Sequence, residues 1–176
     1  MKFVPIPLGG AYVIELERNV DGRGFFARSW SAEEFEARGL TSNLAQCSIS
    51  FNTRKGTLRG LHYQIEPYPE TKLVRCSAGA VYDVLVDLRR ESPTHRKWFG
   101  VELNAENRKM VYIPKGFAHG FQTLVDNTEI FYQISENYRV EASRGARWND
   151  PAFAIDWPIA NPILSERDRT FPDYMP

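Results

Sequence analysis

Ala80-Val81-Tyr82-Asp83-Val84-Leu85-Val86-Asp87-Leu88-Arg89 alternates with a period of two. Ala80, Tyr82, Val84, Val86 and Leu88 share one face, and Val81, Asp83, Leu85, Asp87 and Arg89 share the other. Successive strand residues point to opposite sides, so this is a strand with one dry face and one mixed face. Working outward, similar strands are predicted at Tyr12–Glu17, Phe25–Trp30, Leu44–Phe51, Thr57–Gln64, Lys72–Ser77, Trp98–Leu103, Lys109–Ile113, Gly120–Val125 and Glu129–Ser135. Asp21-Gly22, Lys55-Gly56, Ala78-Gly79, Ser92-Pro93 and Pro114-Lys115-Gly116 separate them as turns. About ten short, punctuated strands predict an all-β antiparallel sandwich or barrel. Only two short helices are expected. Ser31-Ala32-Glu33-Glu34 reads as a capping box with Phe35 inside and Gly39 as the stop, and Ser165-Glu166-Arg167-Asp168 opens the second.

The 176 residues fit one domain, 1–176, with a sizeable core. Lysine and arginine total 22 and balance 22 acidic residues, which leaves no net positive field for a nucleic-acid backbone. No run of about 18 apolar residues offers a membrane span, and the start lacks the apolar core of a signal peptide. Cys47 and Cys76 form no CxxC and are expected to be reduced, buried thiols of a cytoplasmic protein.

The chain has three histidines, His62, His95 and His119. A metal-binding barrel strand commonly carries His-x-His, and here that stretch reads His62-Tyr63-Gln64, so no metal is expected. GxxxxGK[ST], GxGxxG and GxSxG are all missing, which leaves phosphate-loop, dinucleotide and serine-hydrolase chemistry unsupported. What remains is an acid–base set. Arg59 and His62 have odd spacing and face opposite sides of a regular strand, but a bulge at Gly60 would bring them together. His62 is otherwise a satisfied core histidine. Lys72 shares a face with Val74 and Cys76, so it either points inward or reaches solvent from a strand end. Tyr132 shares a face with Ile130 and Ile134, as a functional phenol or as filling. His119 follows the Pro114-Lys115-Gly116 turn, as a ligand contact or a turn stabiliser. Asp168 has a competing role in the helix cap.

Asp21-Gly22-Arg23-Gly24-Phe25-Phe26, Gly56–Gln64, Lys72-Leu73-Val74-Arg75, Asp83–Arg89, Ser92-Pro93-Thr94 and Ile113–Phe121 follow in order. Tyr132 with Tyr138, Trp148-Asn149-Asp150-Pro151 and Leu164–Asp168 complete the series. Over its whole length the chain resembles the dTDP-4-dehydrorhamnose 3,5-epimerase family. The resemblance implies a cupin-type jelly-roll barrel working as a homodimer without cofactor or metal, on a nucleotide-linked 4-keto-6-deoxyhexose. It implies His62 as base, Asp168 as the group orienting it, Lys72 beside the enolate oxygen and Tyr132 as acid. Arg23, Gln46, Ser48, Arg59 and His119 match substrate contacts, and Tyr138 matches the residue that stacks on the base. Departures fall in nucleotide recognition: Arg28 and Ser143 stand where glutamates are common, Gln46-Cys47-Ser48 replaces Gln-x-Asn, and the spacing to Gly56 is one residue longer. A dTDP sugar is the default, with CDP, GDP and UDP sugars open, as is inversion at C3, C5 or both. The alternatives are a ketoisomerase on the same barrel, a non-catalytic sugar-nucleotide binding module and a metal-dependent cupin.

Overall fold

A computed structural model describes residues 1–175. The strands run β1 (Lys2–Pro5), β2 (Tyr12–Glu15), β3 (Asn19–Asp21), β4 (Gly24–Phe26), β5 (Gln46–Asn52), β6 (Leu58–Gln64) and β7 (Lys72–Ala78). They continue with β8 (Ala80–Asp87), β9 (Trp98–Asn104), β10 (Met110–Ile113), β11 (Phe117–Thr123), β12 (Thr128–Ile134) and β13 (Ser143–Gly145). Two helices, α1 (Ala32–Glu36) and α2 (Glu166–Thr170), complete the chain. One sheet has the order β1-β2-β10-β7-β12-β5, a second β13-β6-β11-β8-β9, and β3 pairs β4 in a separate hairpin. The named strands pair antiparallel throughout. This is the all-β, cupin-type jelly roll expected. β1, β3 and β13 were not predicted; they are three or four residues long, too short to show a period. The strand predicted over Phe25–Trp30 ends at Phe26, because only the hairpin turn pairs it. No helix among the described residues is long and apolar enough to cross a membrane.

Apolar side chains pack in three layers. Val74, Cys76, Val81, Leu85, Val111, Phe121 and Ile130 fill the space between the sheets. Phe35 of α1 covers Leu73, Met110 and Tyr112 on the outside of the six-stranded sheet. Val84, Val86, Leu61 and Ala118 lie under Phe153, with Trp157 and Tyr174 beside it, on the outside of the five-stranded sheet. The expected dry face of β8 is therefore roofed by the loop-rich C-terminal segment, while its mixed face looks into the barrel. Burying each Val there contributes about 1.5–3 kcal/mol.

α1 begins after Ser31, but the Ser31 side chain makes no cap hydrogen bond. Glu34 is engaged elsewhere, 3.1 Å from the Met1 amino group and 3.4 Å from Arg28, so the predicted capping box does not form. The second cap does form: Ser165 Oγ accepts from the Asp168 amide at 3.1 Å. Cys76 is buried as expected, whereas Cys47 is exposed. β5 is an edge strand whose alternation turns Gln46 and Ser48 to the cavity and leaves Cys47 on the uncovered side.

Candidate active site

The decisive local feature is a bulge in β6. His119 of β11 is the register partner of His62, and Phe121 is the partner of Arg59. Two residues, Gly60 and Leu61, thus oppose one, Gly120, and the side-chain alternation slips by one. Arg59 and His62 consequently line one cavity of about 320 Å³ between the sheets. Gly60 is required there because its φ is +136° and a Cβ would sit 2.6 Å from Gly120 Cα. Arg59 is braced by donating from Nε to Asn52 Oδ1 at 2.7 Å.

The five-stranded sheet supplies His62 and His119 to this cavity, and the six-stranded sheet supplies Lys72, Tyr132, Gln46 and Ser48. Tyr138 closes one side, near Ser143 and Arg167. Asp168 stands behind His62, its Oδ1 2.6 Å from Nε2. Burial acts to raise the Asp168 pKa, but the bond and charge of His62 and the Ser165 cap outweigh it and hold the carboxyl below its ordinary value. An ionised carboxylate only accepts, so His62 Nε2 carries the hydrogen and donates. The cap and the histidine contact are compatible because one uses the Asp168 amide and the other its side chain.

Lys72 points inward, with Nζ 2.9 Å from Glu70 Oε1 and both side chains largely buried. The alternative of a strand-end lysine in solvent does not hold. Tyr132 has its pKa raised, first by burial and then by the charge of Asp83, with Arg59 partly offsetting them. His119 donates from or accepts at Nε2 toward Asp83 Oδ2, 2.9 Å away. The side chains of Ser143 and Arg167 lower the pKa of Tyr138, whose ring is half-exposed. Arg167 also donates from Nη2 to Ser143 Oγ at 2.9 Å.

Arg23 is the one expected site residue that is not brought in. It sits on the β3–β4 hairpin with its side chain 91% exposed and paired to Asp21, and it does not line the cavity. A wider hollow of about 600 Å³ adjoins the cavity and shares Tyr63 and Gln64 with it, but holds no histidine. No group of three or more His, Cys, Asp or Glu among the described residues forms a metal-holding cluster.

The family model described as dTDP-4-dehydrorhamnose 3,5-epimerase matches residues 5–175. The chain belongs to this family. A dTDP-4-dehydrorhamnose 3,5-epimerase of Shigella flexneri is 49% identical over 149 residues, 84% of this chain and 82% of that protein. The crystal structure of the enzyme of that name from Elizabethkingia anophelis superposes with a TM-score of 0.96 at 40% identity, covering 99% of this chain and 96% of that one. The Legionella pneumophila relative, solved in complex with dTDP-4-keto-L-rhamnose, has a TM-score of 0.91 at 38% identity and covers 98% and 92%.

Of the charged residues that line this cavity, Glu70 and Arg167 were not picked out as site residues from the sequence, nor was Asp83, which stands behind His119. Glu70 lies two residues before Lys72, in the segment that leads into β7. Asp83 is the inward carboxylate of the β8 alternation. Arg167 precedes Asp168 on α2. The signals were a charge within two residues of a chosen one for Glu70 and Arg167, and the strand alternation itself for Asp83.

Proposed function

We propose that the protein is an epimerase of a nucleotide-linked 4-keto-6-deoxyhexose, with dTDP-4-dehydro-6-deoxyglucose the first substrate to test. One observation carries this reading: His62 and Tyr132 project from opposite sheets into the same cavity. Inverting a carbon needs a base on one face of the sugar and an acid on the other, since returning the proton to the same face changes nothing. With Nε2 turned to Asp168, His62 takes the proton alpha to the ketone at Nδ1. The carbon's electron pair moves toward the ketone oxygen, and the Lys72 ammonium stabilises the charge that develops there. Tyr132, whose raised pKa keeps the phenol protonated, returns a proton from the opposite side. Arg59 meets the diphosphate bidentately, and Tyr138 stacks on the base.

The reading includes a homodimer. The β3–β4 hairpin exposes Val20 and Phe26 along with Arg23, and β5 exposes Ile49 and Phe51 on its outward side. Apolar surface of this kind on an unpaired edge supports association with a second copy. In that dimer the hairpin carries Arg23 to the partner's cavity, which accounts for its absence from its own.

The test is incubation in deuterated water with a panel of nucleotide 4-keto-6-deoxysugars, read by NMR. The wild type is expected to exchange and invert at C3, C5 or both, and H62N is expected to do neither while remaining folded. A product with a migrated carbonyl would make the protein a ketoisomerase, and binding without exchange for every sugar would make it a binding module.

A further inference from the structure

We propose that Asp83 is a positioning residue for the acid half of the reaction, acting through His119 on Tyr132. The proposal rests on the reading of the cavity as an epimerase site and extends it to a residue outside the cavity wall. Asp83 is 0% exposed and faces into the barrel on the same side of β8 as Val81 and Leu85. One of its oxygens, Oδ2, meets His119 Nε2 at 2.9 Å. The other, Oδ1, is buried with no hydrogen-bond partner among the described residues. A half-satisfied carboxylate in a dry interior is destabilising, and an apolar residue at this position would pack with Val81 and Leu85 without that cost. Its placement therefore needs a reason outside folding.

The reason lies in what His119 touches. His119 is the register partner of His62 and lines the cavity. Its ring meets the Tyr132 ring edge-on, with centroids 6.1 Å apart and planes at 77°. Asp83, His119 and Tyr132 thus form a line from β8 through β11 to β12 of the facing sheet. It parallels the Asp168–His62 pair that serves the base. Asp83 accepts from Nε2–H, which fixes the His119 tautomer and stops its ring from turning. The fixed ring holds the Tyr132 ring against the cavity. The negative charge at Asp83 disfavours a phenolate, so Tyr132 is kept loaded with its proton between turnovers. No hydrogen bond from another protein group holds the Tyr132 hydroxyl among the described residues, so orientation falls to the ring contact.

D83N preserves shape and removes the charge. Two rates are read by NMR in deuterated water: solvent exchange with retention, which needs only His62, and inversion, which also needs Tyr132. The expected result is that inversion falls at least about tenfold more than exchange, the range typical of lost outer-shell support. Equal loss of both rates, or unchanged inversion in folded D83N, overturns the proposal. Should D83N not fold, the wild type answers by ¹⁵N NMR of its three histidine rings. A protonated His119 Nε2 supports the proposal, and a bare Nε2 overturns it. If the wild type neither exchanges nor inverts any sugar, the epimerase reading falls instead, and the His119 tautomer remains a separate measurement.

Discussion

One methyl group added at Gly60 tests whether the bulge makes the site. In G60A the new Cβ would lie 2.6 Å from Gly120 Cα and 3.0 Å from His119 O. Carbon atoms rest at about 3.5–4.0 Å, so β6 and β11 must part by roughly 1 Å. The φ of +136° adds strain of about 1–3 kcal/mol for a residue with a Cβ. Overpacking of the crossing adds about 1–3 kcal/mol more. The expected loss of stability is therefore about 2–6 kcal/mol. The movement also separates Arg59 from His62, and a misplacement of about 1 Å costs on the order of 100-fold in rate. Urea unfolding gives the first quantity, and NMR-detected inversion of the nucleotide 4-keto sugar gives the second. G9A is the control, since a Cβ at Gly9 meets nothing within 4 Å. A G60A protein that unfolds within about 0.5 kcal/mol of wild type, the range of ordinary surface changes, and inverts substrate at the normal rate refutes the reasoning.

Two further outcomes follow from the geometry. Mixing H62N with R23A, each inactive alone at low substrate, should restore about a quarter of the wild-type sites, because half the dimers are mixed and each has one intact cavity; no recovery means that the hairpin serves its own chain. Asp87 is buried, which by itself raises its pKa, but hydrogen bonds from Arg89, Ser92 and Thr94 hold the carboxyl at about 2. Its folded pKa lies below the unfolded value, so its contribution is present above about pH 4 and is lost as pH falls through about 2. D87N should therefore lose about 2 kcal/mol at pH 7, with the gap to wild type closing in acid; urea melts at pH 7 and pH 2.5 that show the same gap remove the assignment.

Strand periodicity makes most of the barrel legible from residues alone. The alternation of Ala80–Leu88 separates two faces, and the odd spacing of Arg59 and His62 around Gly60 requires a bulge if both are to serve one site. Ser165 and Asp168 at helix-cap spacing locate α2, and the structure shows that the cap leaves the Asp168 carboxylate free for His62. These signals are local: each depends on neighbours a few residues away, and backbone geometry alone enforces them. The capping box at Ser31 loses its reciprocal half because a distant group, the Met1 amine, holds the Glu34 carboxylate.

Other features were decided only when the chain closed on itself. Alternation distinguishes two faces of β8 but is silent on what covers each, and the C-terminal segment claims the apolar one. Lys72 reads more readily as a strand-end lysine reaching solvent until Glu70 pairs with it and the cavity between the sheets takes it in. Cys47 reads as buried until β5 proves to be an edge. Arg23 belongs to the site by resemblance, yet the fold of one chain leaves it outside. Which side of a strand is dry, and which charge is paired, depends on contacts between residues far apart in sequence, and no local period encodes them.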